Sequence, residues 1–140
     1  MIIYPKPEDI LFHEGRYFTV EWFYLENGKL PAFEYYRRLS EVDQHKLKLV
    51  VKYIADNPYG TKLPLTMYRI EDHHNKIFAF KPRAERYFNF MMKGSVIIIT
   101  NAYHKHSNKM TKQDLEELQT SIRYKLDYVR RVKEGAYYEA

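Results

Sequence analysis

Three runs of apolar and aromatic residues between Lys76 and His106 give the clearest hydrophobic pattern of the chain. In the first two runs, Ile77–Lys81 and Tyr87–Met91, successive side chains alternate with the period of two that is typical of a strand. The third run, Val96–Thr100, is β-branched at every position, which indicates a strand buried on both faces. Because only short turns separate the runs, with no room for a crossover helix, the pattern predicts an antiparallel meander.

Periodicity, caps and turn signals predict two more strands and three helices outside the meander. Their predicted bounds are 17–25 and 65–70 for the strands, and 31–39, 40–57 and 112–134 for the helices. Ser40 and Thr111 each stand as an N-cap with an acidic residue three positions later. The last helix is predicted to bury an apolar stripe of Leu115, Leu118, Ile122, Leu126, Val129 and Val132.

These elements predict an α+β fold. We expect an antiparallel sheet of four to five strands with an N-terminal helical pair and a C-terminal helix, all packed on one face of the sheet. Residues 1–140 are expected to form one domain, which is long enough to bury a core without disulfides. Within it, residues 1–16 are predicted to be an irregular extension and residues 135–140 a frayed tail.

Composition narrows the classes of function. The chain has no cysteine, which excludes disulfides and thiolate zinc sites, and no apolar run reaches the ~20 residues of a membrane span. The N-terminal residues lack a signal-peptide pattern, so we expect a cytoplasmic protein without a membrane partner. The formal net charge of +5, concentrated in the middle of the chain, suits a polyanionic partner. No glycine-rich phosphate loop or metal-binding motif is present, and neither a cofactor nor a metal is expected.

Basic groups gather at the ends of the meander strands. Lys81, Arg83 and Arg86 surround the first turn, and the third strand runs out into His104-Lys105-His106. In an antiparallel sheet the end of the third strand returns toward the start of the second, so these groups are expected to converge. A cation inside a strand, such as Arg86, faces either a cleft or a carboxylate, and a salt bridge is the alternative interpretation.

Such a set of side chains has a use in cleaving RNA without a metal. A base takes the 2′-OH proton, cations hold the pentavalent phosphorane, and an acid protonates the departing 5′-oxygen. Histidine serves as acid or base near neutral pH, while lysine and arginine supply charge. A second basic surface is predicted on the exposed face of the second helix, where Lys46, Lys48 and Lys52 either follow a phosphate backbone or form a solvated face.

The stretch KIFAFKPRAERYFNFMMKGSVIIITNAYHKHSNKMTKQDLEEL resembles the RelE/ParE superfamily of type II toxins, and within it the HigB-like, phage-associated branch. Its order is similar to that branch's E-L-R-type strand, Y-R-type strand, apolar strand ending near an aromatic residue and lysines, and then a helix. The helical pair also stands where the family has one. The resemblance covers roughly residues 17–130, but its motifs are short.

The resemblance implies roles for individual residues. Lys81 stands where the family's first strand usually ends in arginine, and Arg86 matches an arginine that is functional in ribosome-dependent members. Tyr103 matches the aromatic residue after the apolar strand, and Lys105 matches one of the lysines that follow. The family's lysine pair is interrupted here by imidazoles, which are expected to share the proton transfers.

By this resemblance the protein is a toxin that cleaves mRNA on the ribosome and is held inactive by a cognate antitoxin. We expect Lys81 and Arg86 to stabilise the phosphorane, while His104 or His106, with Lys105, moves the protons. Arg83 and the lysines of the second helix are expected to bind RNA. Two alternatives remain: a ParE-like toxin without nuclease activity that binds DNA gyrase, and a plain RNA-binding module.

Overall fold

The structure of the protein, a computed structural model, describes residues 1–139. Its strands are β1 (Leu11–Glu14), β2 (Thr19–Trp22), β3 (Tyr68–Asp72), β4 (Ile77–Phe80), β5 (Glu85–Met92) and β6 (Val96–His104). Its helices are α1 (Pro7–Ile10), α2 (Pro31–Arg37), α3 (Glu41–Ala55) and α4 (Lys112–Lys133). The α+β class, the helical pair and the long C-terminal helix are therefore as predicted. Over the described residues, none of the helices has both the length and the apolar character that crossing a membrane requires.

The six strands form one mixed sheet in the order β1-β2-β6-β5-β4-β3. The meander of β3 to β6 is antiparallel throughout, as predicted, whereas β2 pairs with β6 in parallel. The predicted sheet of four to five strands, antiparallel throughout, is wrong in both respects. The two helices and three strands that separate β2 from β6 give the chain enough length to return in the same direction.

Helices cover both faces of the sheet, and the prediction of a single helical layer is wrong. Alternate β6 residues separate two cores: Ile97 and Ile99 pack with α2 and α3, while Ile98 packs with residues of α4. All three side chains are fully buried, and a strand that is apolar on both sides needs a layer on each. We call the two sides the α3 face and the α4 face.

Both chain ends are more ordered than predicted. Residues 1–16 contain α1 and the edge strand β1, which pairs with β2, so the extension is not irregular. At the other end Tyr137 is buried, and the Tyr24 hydroxyl donates to its carbonyl oxygen. Residues 135–139 are thus docked on the sheet rather than frayed, and Ala140 lies outside the described residues. Aromatic packing against Tyr24 and Tyr128 explains the docking, because such pairs stabilise beyond their buried area.

The predicted apolar stripe of α4 is only partly correct. Leu118 and Ile122 pack against the core of the α4 face, but other buried positions of the helix are polar. Leu115 and Leu126 are half or more exposed, whereas Ser121 and Arg131 are buried. Arg131 donates to the Tyr24 carbonyl at 2.7 Å, with its guanidinium 4.6 Å from the centre of the Tyr24 ring. Buried polar groups need hydrogen bonds. The positions of their partners on the sheet therefore set the rotation of α4 about its axis.

A β-bulge at Thr100 changes which face of the sheet the later side chains of β6 lie on. Phe88 pairs with Asn101 and the next residue, Asn89, pairs with Ile99, so Thr100 has no partner on β5. Thr100 and Asn101 both turn toward α4: Thr100 Oγ1 lies 2.7 Å from Ser121 Oγ, and Asn101 Nδ2 donates to the Glu117 carbonyl at 3.0 Å. Odd-numbered residues after the bulge therefore lie on the α4 face.

The bulge predicts a stability effect at Thr100. Thr100→Val removes the hydroxyl and leaves the buried Ser121 hydroxyl without this partner, so the free energy of unfolding in urea should fall by about 1–3 kcal/mol. Adding Ser121→Ala should recover part of the loss, because no unpaired hydroxyl remains. Thr66→Val, in an exposed turn, is the matched control. A Thr100→Val protein as stable as this control would contradict the role of the hydroxyl.

Candidate functional site

A concave pocket of about 380 Å³ opens on the α4 face, beside the ends of β4 and β6 and the start of β5. We call it the cation pocket, after four basic side chains that line it: Arg69, Lys81, Arg86 and Lys105. Two of them, Arg69 and Arg86, lie in strands β3 and β5, whereas Lys81 directly follows β4 and Lys105 directly follows β6. Arg69 pairs with Ala79, two residues before Lys81, and Arg86 pairs with Tyr103. Of the groups that were predicted to converge with Arg86, Lys81 and Lys105 line this pocket, and Tyr103 lines it as well.

Arg86 is held by main-chain acceptors. Its Nη1 donates to the carbonyl oxygens of Arg83 at 2.7 Å and of Glu85 at 2.9 Å. Within residues 1–139, neither Arg86 nor Arg69 nor Lys81 forms an ion pair with a carboxylate. The alternative of a salt-bridged Arg86 is therefore not observed, and its charge is available to an anionic ligand.

Lys81 lies directly after β4, and its Nζ is 3.3 Å from the Leu65 carbonyl oxygen, to which it donates. Burial, followed by the positive charge of Arg86, lowers the pKa of Lys81 from its ordinary value. Further cations in the same pocket, Arg69 and Lys105, act in the same direction, while Glu71 opposes them. Lys81 thus gives up its proton more readily than an ordinary exposed lysine.

Lys105 and Tyr103 share one carboxylate. Lys105 Nζ lies 2.6 Å from Asp114 Oδ2, and the Tyr103 hydroxyl donates to Oδ1 at 2.5 Å. Burial alone raises the pKa of Asp114, but hydrogen bonds from Lys105, Tyr103 and Thr111 outweigh it and hold that pKa well below its usual range. Burial and the bond to Asp114 raise the pKa of Tyr103. This cluster ties the N-terminus of α4 to the end of β6, where Asp114 completes a capping box with Thr111.

The two histidines do not lie in the cation pocket. Because of the bulge, the His104 side chain lies on the α3 face. There its Nδ1 is 2.8 Å from Glu85 Oε1, and the Tyr35 hydroxyl donates to the other carboxylate oxygen of Glu85. The ring of His106 lies 4.7 Å from that of His104. The prediction that the imidazoles converge with Arg86 is wrong. The strand ends meet as expected, but the bulge at Thr100 leaves His104 on the opposite face of the sheet from Arg86. Among residues 1–139 no group of three or more histidine and carboxylate side chains is arranged to hold a metal ion.

The remaining predicted RNA contacts are spread over the surface. Arg83 is exposed in the turn before β5, where its carbonyl accepts from Arg86. Lys46, Lys48 and Lys52 belong to α3, on the face of the sheet opposite the cation pocket, and Lys52 pairs with Asp56 at 3.2 Å. These lysines are not brought to the pocket. Whether they contact RNA stays a prediction.

Arg69 is the basic residue of the cation pocket that the sequence did not single out. It is the second residue of β3, inside a segment that was predicted to be a strand. The signal that singled out Arg86, a cation inside a strand, applies to Arg69 as well. Antiparallel pairing with β4 would then have placed it on the same face as Lys81.

No protein-family model matches the chain, and comparison with curated proteins gives no match either. The interpretation of the site therefore depends on its own geometry. Three cations that have no carboxylate partner within residues 1–139 converge on the pocket, and one of them, Lys81, has a lowered pKa. Such a pocket suits a phosphate group, and it has a side chain able to accept a proton beside it.

The Asp114 cluster predicts how stability depends on pH. Because its folded pKa lies below that of the unfolded chain, Asp114 contributes stability above about pH 4, and this is lost as the pH falls. Asp114→Asn leaves Lys105 without its carboxylate and should lower the free energy of unfolding at neutral pH by about 3–5 kcal/mol. It should also flatten the decline of stability in acid.

The measurement is urea unfolding over a range of pH. Glu116→Gln is the matched control, because its partner Lys112 is 91% exposed and the pair is 3.9 Å apart, so little should change. An Asp114→Asn protein whose stability falls with acid as steeply as that of the wild type would contradict this role of the carboxylate.

Proposed function

We propose that the protein is an endoribonuclease that cleaves mRNA on the ribosome and acts as the toxin of a type II toxin–antitoxin system. The observation that carries this proposal is the cation pocket, in which Arg69, Lys81 and Arg86 converge without a carboxylate partner among residues 1–139. Independent support comes from the resemblance described above, since the helical pair, the meander and the final helix follow one another in the order that it implies.

The pocket suits the phosphodiester of an RNA backbone. Arginine forms paired hydrogen bonds with phosphate oxygens, and main-chain acceptors already hold Arg86 in position. Charge that develops on the phosphorane would meet fixed cations, so little reorganisation is needed as the reaction proceeds. Arg86 and Arg69 are therefore assigned to stabilising the phosphorane.

Proton transfer is assigned to the two lysines, which replace the histidines of the sequence-based prediction. Lys81, whose pKa is lowered, takes the proton from the 2′-OH as the 2′-oxygen attacks phosphorus. The bond from phosphorus to the 5′-oxygen breaks, and Lys105 supplies a proton to that oxygen. The products are a 2′,3′-cyclic phosphate and a 5′-OH, and no water or other reactant is consumed in this step.

The ribosome would supply what the pocket lacks. The cation pocket is open to solvent, and by itself it fixes few atoms of a flexible RNA strand. Orienting the 2′-OH in line with the leaving 5′-oxygen accounts for a large part of such a barrier. An mRNA held by the ribosome arrives already ordered, which explains how a few cations and two lysines suffice.

Arg86→Ala tests the charge assignment. Removing one charge-stabilising donor typically lowers the rate about 10²–10³-fold, so growth inhibition and cleavage of translated messages should be lost. Lys93→Ala is the matched control, because it removes one positive charge at the opposite end of β5. The measurement is mapping of new 5′ ends on messages after induction. Intact messages together with a DNA-damage response in the wild type would instead favour binding to DNA gyrase.

Substitutions of Lys81 test its role in proton transfer separately from the role of its charge. Lys81→Arg keeps a cation that does not deprotonate in proteins, so RNA binding should be retained while cleavage falls about 10²–10⁴-fold. Lys81→Ala should weaken binding as well. Single-turnover cleavage and binding to a non-cleavable 2′-deoxy substrate provide the two readouts. Full cleavage by Lys81→Arg would show that Lys81 supplies charge alone. The family that the chain resembles usually has arginine at this position, and that arginine is expected to supply charge.

A further inference from the structure

A second pocket lies on the α3 face, between the β3–β4 hairpin and the loop that follows α3. Its volume is about 350 Å³, and its wall is mostly apolar. Tyr68 and Phe78 form part of this wall as a stacked pair, with ring centres 5.1 Å apart and planes 4° from parallel. We call it the aromatic pocket.

The aromatic pocket is adjacent to the cation pocket across β3. Arg69 lines both pockets. Leu65, in the wall of the aromatic pocket, accepts a hydrogen bond through its carbonyl from Lys81 of the cation pocket. β3 is an edge strand, so no further strand blocks a ligand from extending around it from one face of the sheet to the other. A single ligand can therefore place one part in each pocket.

The loop that borders the aromatic pocket presents an unpacked tyrosine. Tyr59 is 81% exposed, and it precedes Gly60, whose positive φ of 86° turns the chain. Burial raises the pKa of Tyr68, and the Tyr59 hydroxyl adds to this effect. An exposed ring beside a concave aromatic wall is the arrangement with which proteins stack an unpaired base.

We propose that the aromatic pocket binds a nucleobase of the RNA whose phosphate lies in the cation pocket, an inference that rests on the proposed function. Tyr59 would stack on the base, and Arg69 would bridge from the base side to the phosphate. A nucleotide combines a flat aromatic group with an anion at short distance, which is the combination that Arg69 and the two pockets require. An aliphatic ligand would use the apolar wall but leave the cations without a partner.

A base held in this way gives the enzyme a preference among RNA sequences. The base would occupy a fixed position relative to the phosphate that is cleaved. Asn57 and Thr61 stand at the border of the pocket and offer polar groups to the edge of a base. Tyr59 contributes stacking, which tolerates any base, so discrimination is assigned to the polar residues.

Binding of mononucleotides tests the proposal without requiring cleavage. The protein is titrated with adenosine 3′-monophosphate, adenosine, inorganic phosphate and decanoate, and amide NMR shifts are followed. We expect adenosine to shift amides of residues 57–65, phosphate to shift those around Arg86, and the nucleotide to shift both sets. Shifts confined to the cation pocket, or decanoate binding more tightly than adenosine, would overturn it.

Tyr59→Ala provides the second arm. Loss of one stacking ring should weaken nucleotide binding about 5- to 150-fold and leave the affinity for inorganic phosphate unchanged. Tyr4→Ala is the matched control, because Tyr4 is a partly exposed tyrosine beside a different pocket. Unchanged nucleotide affinity in Tyr59→Ala would overturn the proposal. If nucleotides bind both pockets but RNA is not cleaved, the cleavage proposal alone fails.

Discussion

The candidate site depends on one extra residue in β6. Thr100 has no partner on β5, and every side chain after it is turned to the opposite face from the one that simple alternation would give. Tyr103 and Lys105 consequently lie beside Arg86, while His104 faces α2. The bulge is stabilised by polar contacts to α4, in which Thr100 meets Ser121. The same contacts therefore set both the rotation of α4 and the composition of the pocket below it.

Asp114 extends this coupling from the helix to the site. Its carboxylate accepts hydrogen bonds from Tyr103 and Lys105 at the end of β6, and from Thr111 at the start of α4. A carboxylate so occupied has little capacity left to neutralise the other cations of the pocket. Lys105 is thus positioned by an ion pair. Arg86 is positioned by main-chain carbonyls instead, and its charge remains available to a ligand.

Periodicity predicted the meander and the helical pair because these elements bury regular apolar faces. It also predicted the long helix, although only part of the apolar stripe of that helix is buried. It failed where polar contacts decide the geometry. Asn101 is buried at the bulge, and two adjacent polar residues after an isoleucine run were the available signal for a break in alternation. The parallel pairing of β2 and the docking of Tyr137 arise from contacts between distant parts of the chain, which local patterns do not encode. The convergence of Lys81 with Arg86 was predictable because short hairpins bring strand ends together.

The cation pocket itself is unfavourable for the folded chain in the absence of a ligand. Burial lowers the pKa of Lys81, and the like charge of Arg86 lowers it further. Within residues 1–139 no carboxylate forms an ion pair with either residue. A bound phosphate would relieve this repulsion, so ligand binding and folding are coupled in the same direction. Glu71 lines the pocket and moderates the repulsion without forming an ion pair with Lys81. A surface that merely needed solubility would have no reason to gather cations where they repel, and their convergence is therefore best explained by an anion that occupies the pocket during function.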